Sequence, residues 1–98
     1  MRIYSFTSNV VVYPGIAAWR FLGLPVKDAV QIRGMYSASA KGWGSLPVSV
    51  TIGKTTWDTS IFPDTKSGTY LLPLKAQIRK AEDIADTDAV SVKLKIRH

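Results

Sequence analysis

The sequence predicts a mainly β protein with two short helices, a closed six-stranded barrel built from two similar halves. Three observations predict it. Apolar residues alternate with period two in several segments, as in strands with one buried face. Two other segments carry apolar residues at helical spacing, each beginning at a proline. Finally, residues 20–34, RFLGLPVKDAVQIRG, resemble residues 68–82, GTYLLPLKAQIRKAE, sharing Leu-Pro-apolar-Lys and then Gln-Ile-Arg. Each half therefore reads strand, strand, helix, strand. Closing six strands into a barrel removes the open edges that invite aggregation. The competing account of the repeat is coincidence between two short proline-started helices.

The elements follow in order. Tyr4, Phe6, Val10 and Val12 mark the first strand, and residues 17–24 the second. A helix over 25–36 is weakly patterned by Val26, Ala29, Val30 and Tyr36, with Pro25 at its first position, where a missing N–H costs nothing. Leu46, Val48, Val50 and Ile52 give the third strand. Gly53-Lys54 has the form of a two-residue hairpin turn into a strand over 54–62, with Trp57 and Ile61 on one face and Thr56, Asp58 and Ser60 on the other. A strand over 69–72 leads to a helix over 73–84, started by Pro73 and striped by Leu74, Ile78, Ala81 and Ile84. Val90, Val92, Leu94 and Ile96, opposite Ser91, Lys93, Lys95 and Arg97, form the last strand. The small-residue stretch SASAKGWGS, 37–45, is too short to link domains, so residues 1–98 are expected to form one domain.

Composition agrees. Ninety-eight residues, 46% of them hydrophobic, suit a single core. Without cysteine there is no disulfide, thiolate metal site or cysteine nucleophile. The apolar runs fall far short of the ~18 residues of a membrane span, and the alternating N-terminus does not read as a signal peptide, so the expected compartment is the cytoplasm. Thirteen Lys and Arg face seven Asp and Glu, for a net charge of +6. Four of those acids, Glu82, Asp83, Asp86 and Asp88, lie in one segment without a base. The remaining field favours nucleic acid, anionic metabolites or acidic proteins, or simply keeps the surface soluble.

Two motifs tempt and fail. Gly53-Lys54-Thr55 ends like a phosphate-binding loop, but Val48 stands where the first glycine belongs, and a strand pattern follows instead of a helix. Asp58-Thr59-Ser60 echoes an aspartic protease, but Ser60 replaces the required glycine and the alternation turns Asp58 away from Trp57. His98 is the only histidine, which removes histidine metal sites and nearly all Ser–His catalysis. Neither a catalytic residue nor a metal or cofactor is expected, and the reading is a non-enzymatic binding module, with a DNA-binding regulator-like barrel and a structural or partner-scaffolding domain as the alternatives.

Candidate binding residues come from the helix starts. Leu24-Pro25-Val26-Lys27 and Leu72-Pro73-Leu74-Lys75 carry no Ser, Thr, Asp or Asn to accept the free N–H groups. A strand carbonyl, a water or a remote side chain can serve, or an anion held beside Lys27, or beside Lys75 and Arg79. Lys75 and Arg79 at i and i+4 repel by a few tenths of a kcal/mol unless something negative lies between them, with Asp83 a partial remedy. Trp43, between Gly42 and Gly44, either folds over a ligand as a lid or plugs one barrel end. The stripe Lys93, Lys95 and Arg97 is the alternative, a phosphate-contacting surface for nucleic acid without sequence readout, or merely a solvated strand face.

Trp19, Gly42-Trp43-Gly44, Pro47-Val48, Ile52-Gly53, Thr56-Trp57, Thr59-Ser60, Phe62-Pro63, Tyr70-Leu71-Leu72-Pro73, Lys75 and Arg79 form a set of motifs. Together they are similar to a widespread bacterial family, the domain of unknown function 1905. The resemblance spans nearly the whole chain and departs at Thr87-Asp88, where the family usually has Gly-Asp before the last strand. It implies a double-split barrel capped by helices, akin to the swapped-hairpin barrels of dimeric DNA-binding regulators. Here one chain supplies both halves, so a monomer is expected. Fusions of the family to a domain associated with bacteriocin protection hint at an envelope or stress context and identify no reaction.

Overall fold

Two strands of ten residues, β1 (Ile3–Val12) and β4 (Thr55–Asp64), make barrel closure possible. The computed structural model describes residues 2–15, 19–40 and 44–97. The other elements are β2 (Arg20–Gly23), α1 (Val26–Tyr36), β3 (Leu46–Ile52), β5 (Thr69–Pro73), α2 (Ala76–Ala81) and β6 (Ala89–Ile96). Each long strand serves two neighbours in turn. β1 pairs with β6 through Ile3–Asn9 and then with β2 through Val10–Val12. β4 pairs with β3 through Leu46↔Ile61 to Ile52↔Thr55 and then with β5 through Phe62–Asp64. All pairings are antiparallel, and the closed order is β1-β2-β5-β4-β3-β6.

The sequence repeat is structural. It aligns Leu24 with Leu72, and hence Gly23 with Leu71, and these two residues face each other across the β2–β5 ladder. A residue opposite its own counterpart marks an approximate two-fold axis there. Coincidence would not place it so.

Alternation governs burial. β3 reads buried at Leu46, Val48, Val50 and Ile52, and β6 at Val90, Val92, Leu94 and Ile96, with intervening residues outward. These side chains, with Leu22, Ile61, Leu72, Leu74, Ile32 and Ile78, fill the barrel and seat both helices. At about 25 cal/mol per Å2 of apolar surface, each fully buried Leu or Ile contributes roughly 1.5–3 kcal/mol. Gly53 and Lys54 form the β3–β4 turn, with Gly53 at φ 57°. Glu82 rests against that turn and accepts a 2.5 Å hydrogen bond from the Thr55 hydroxyl.

Both helix starts lie later than the prolines suggest. Pro25 is the residue before α1, at ψ 143°, and its carbonyl accepts from Ala29 N. Pro73 is three residues from α2, because it still pairs with Phe21, and Leu74 N donates to the Arg20 carbonyl at 2.9 Å. The strand keeps its partner until Lys75, itself extended at ψ 152°, and only then does the chain coil. α2 is therefore six residues, ended where Asp83 turns to φ 53°. The expected second strand over 17–24 is described only as Arg20–Gly23. No helix is long and apolar enough to cross a membrane among the described residues.

Candidate functional site

The site grows from the two strand ends that precede α2. At the β1–β2 connection, Tyr13 N donates to the Trp19 carbonyl at 2.8 Å and fixes where β2 begins. The Trp19 ring then stacks on Phe21, centroids 6.0 Å apart and planes 17° from parallel, while Tyr13 meets Phe21 edge-on at 5.1 Å. Trp19 is nonetheless 58% exposed, and Phe62 on β4 is 42% exposed. Large apolar rings left half in water beside one another mark a surface that can take a partner.

Between these rings and the start of α2 lies a cleft of about 660 Å3. Trp19, Pro47, Phe62, Pro73 and Leu74 give its apolar walls, and Thr59 and Ser60 supply hydroxyls. Among the described residues, four cations also line it, Arg20, Lys75, Arg79 and Arg97, against one acid, Asp58.

The cations differ in what already holds them. Arg20 Nε and Nη2 donate to the two carboxylate oxygens of Asp86 at 3.0 and 3.1 Å. That fork is the main reason the Asp86 carboxyl sits below its ordinary range, with burial opposing and the charge of Arg79 adding a little. Arg97 Nη1 lies 3.5 Å from Asp58, and both side chains are more than half exposed. Arg79 Nε donates to the Leu74 carbonyl at 3.2 Å, which orients its guanidinium without neutralising it. Among the described residues, no carboxylate forms an ion pair with Arg79 or Lys75. Asp83 offers no remedy, since its left-handed backbone lies beyond the end of α2 and breaks the i, i+4 relation.

The structure thus brings Lys75 and Arg79 together and adds Arg97 from the stripe read as a separate surface. It does not bring Lys27, which is exposed on α1 away from this cleft. Lys93 and Lys95 point outward from β6 as the alternation required. Lys93 lines a different groove of about 510 Å3 with Ser5, Thr7, Thr51 and Ser91. Trp43 lies outside the described residues. Neither helix has a side-chain cap, but a helix of six residues sums too little dipole to hold an anion by itself, so the charged side chains carry the site.

Of the lining residues, sequence reasoning assigned Lys75, Arg79 and Arg97 to a site, and Trp19 and Asp58 are among those it did not. Strand alternation placed Asp58 outward, but its pairing with Arg97 joins positions far apart in the chain. Asp58 is an exposed strand residue, and Gly53-Lys54 is a hairpin turn, so neither tempting motif describes an active centre here.

This geometry defines a small antiparallel barrel with one cationic, apolar-walled cleft on its flank. The chain matches a domain of unknown function, DUF1905, over residues 6–94, and it belongs to that family. No curated protein matches it. Among the family-like motif residues, Trp19, Pro47, Thr59, Ser60, Phe62, Pro73, Lys75 and Arg79 line the cleft.

Proposed function

We propose that the barrel is a binding module whose cleft takes a small organic anion, holding its charge at Lys75 and Arg79 and its body against Trp19 and Phe62. The observation that carries this reading is the juxtaposition of two cations lacking a carboxylate partner among the described residues with half-exposed aromatic walls. Ligand pockets of a few hundred Å3 are mostly apolar with a few placed polar groups, and this cleft has that composition. Cations not already neutralised give up less on meeting a ligand than paired ones. Binding rather than catalysis is proposed because the one lining acid, Asp58, is exposed and already beside Arg97.

An acidic segment of a protein would satisfy the same cations, and a cytoplasmic small molecule is the simpler occupant for a cleft of this volume. The nucleic-acid reading draws only on Lys93 and Lys95, two outward cations of β6, and on Arg97 just after it, which is shared with Asp58. Thermal-shift screening of the purified protein against phosphates and carboxylates tests the proposal. At least one such anion should raise the melting temperature, and Lys75→Ala and Arg79→Ala should each weaken it by about 1–3 kcal/mol, as expected for a charge-assisted hydrogen bond. If no anion stabilises the parent and both variants lose several degrees on their own, Lys75 and Arg79 are structural.

A further inference from the structure

The charge left over in the cleft and the plane of Trp19 say more about the ligand. Of the four lining cations, Arg20 is matched by Asp86 and Arg97 by Asp58. Lys75 and Arg79 remain, two positive charges without a carboxylate ion pair among the described residues, Arg79 feeling Asp86 only as a weaker charge interaction. A carboxylate would neutralise one of them. A phosphate monoester, carrying about −1.5 to −2 at pH 7 with three strong acceptor oxygens, matches both. Trp19 supplies the second constraint. Its ring lies 17° from parallel to Phe21, which orients its plane, and it is still 58% exposed. A pre-oriented flat indole favours a flat partner, because stacking then costs little additional ordering.

We infer that the occupant of this cleft is a planar aromatic or heteroaromatic group bearing a doubly charged phosphate, as in a nucleoside monophosphate, with the ring on Trp19 and the phosphate between Lys75 and Arg79. The inference rests on the anion site proposed above and adds the ring and the second charge. Two sources share this chemistry: a free mononucleotide, and the phosphorylated 5′ end of a nucleic-acid strand.

Titration calorimetry on the full chain uses adenosine monophosphate, adenosine, glycerol phosphate and inorganic phosphate. Adenosine monophosphate should bind about tenfold more tightly than glycerol phosphate, within the lower part of the range that one base stacked on an aromatic side chain contributes. Trp19→Leu should erase that tenfold preference by weakening adenosine monophosphate far more than glycerol phosphate, and Lys75→Ala should weaken both phosphates. Trp19→Phe, which keeps a flat ring, should retain most of the preference and serves if the leucine variant does not fold. Equal affinity for the two phosphates in the parent protein, or an equal loss of both in Trp19→Phe, overturns the stacked ring while the anion site stands. No binding of any phosphate removes the site as well as its ring. A 5′-phosphorylated oligonucleotide that binds more tightly than both adenosine monophosphate and its unphosphorylated twin assigns the strand end, and the reverse order assigns the free nucleotide.

Discussion

Arg97, just after β6, and Lys75, at the entrance to α2, line one cleft although they stand far apart in the chain. What separates them is their company: Arg97 has Asp58 at 3.5 Å, whereas Lys75 has no carboxylate partner among the described residues. This difference ranks the cleft's cations and yields the first prediction.

Replacing Asp58 by Asn removes the one acid among the described residues that line the cleft and releases Arg97. The pair is more than half exposed, so its loss should cost little stability, well under 1 kcal/mol. Anion affinity should rise by about threefold, the scale of one exposed charge interaction. Calorimetry on the variant checks this, and an unchanged or weaker affinity would mean that Arg97 does not face the bound anion.

Thr87 is held at φ 73°, a left-handed conformation that a β-branched residue adopts at a cost of roughly 1–2 kcal/mol. The turn is kept because its groups are used: the Thr87 carbonyl accepts from Asn9 Nδ2 at 3.1 Å, and the Asp88 carboxylate accepts from Ala85 N at 2.8 Å. Thr87→Gly should relieve the strain, less the extra entropy glycine loses on folding, for a net gain of about 0.5–1 kcal/mol. A chemical-denaturation midpoint that does not rise would show that the turn pays nothing for its threonine.

Gly53→Ala should act in the opposite direction. At φ 57° any side chain is strained, and a Cβ there would collide with the Glu82 carboxylate that receives the Thr55 hydroxyl. Glu82 can swing aside, so the expected loss is about 1–2 kcal/mol rather than failure to fold. Loss of the Thr55 bond would be seen as faster amide exchange at the β3–β4 turn.

Arg20 and Asp86 predict a pH dependence. Hydrogen bonding from Arg20 lowers the folded-state pKa of Asp86 below its unfolded value. A depressed carboxyl contributes stability that is present above the ordinary carboxylate range and is lost as the pH falls through it toward the folded value. Asp64 acts in the same sense, lowered first by the Ser67 hydroxyl at 2.7 Å. Melting temperature should therefore fall on acidification below the carboxylate range, and Asp86→Asn should flatten part of that fall. An identical acid profile in the variant would mean that the pair does not couple to folding.

The barrel was legible because its information is local. Alternation in 46–52 and 90–96 depends only on neighbours in sequence, and the repeat around Leu24 and Leu72 needed only comparison of the chain with itself. The start of α2 was not, because whether Pro73 ends a strand or begins a helix depends on Phe21 across the ladder. The acidic segment read as free charge is likewise occupied: Glu82 serves Thr55, Asp86 serves Arg20 and Asp88 serves Ala85. Half of the site was visible as Lys75 and Arg79. Its aromatic wall was not, since an outward Trp19 just before β2 gives no periodic signal of what it faces.

The cleft itself is tested most directly by following backbone and indole amide resonances of the labelled protein during titration with phenyl phosphate. The account predicts saturable shifts confined to Trp19, Thr59, Ser60, Ala76 and Arg79, with the Trp19 indole among the largest. Shifts centred instead on Ser91, Lys93 and Lys95, or no saturable shift at any residue, would contradict it.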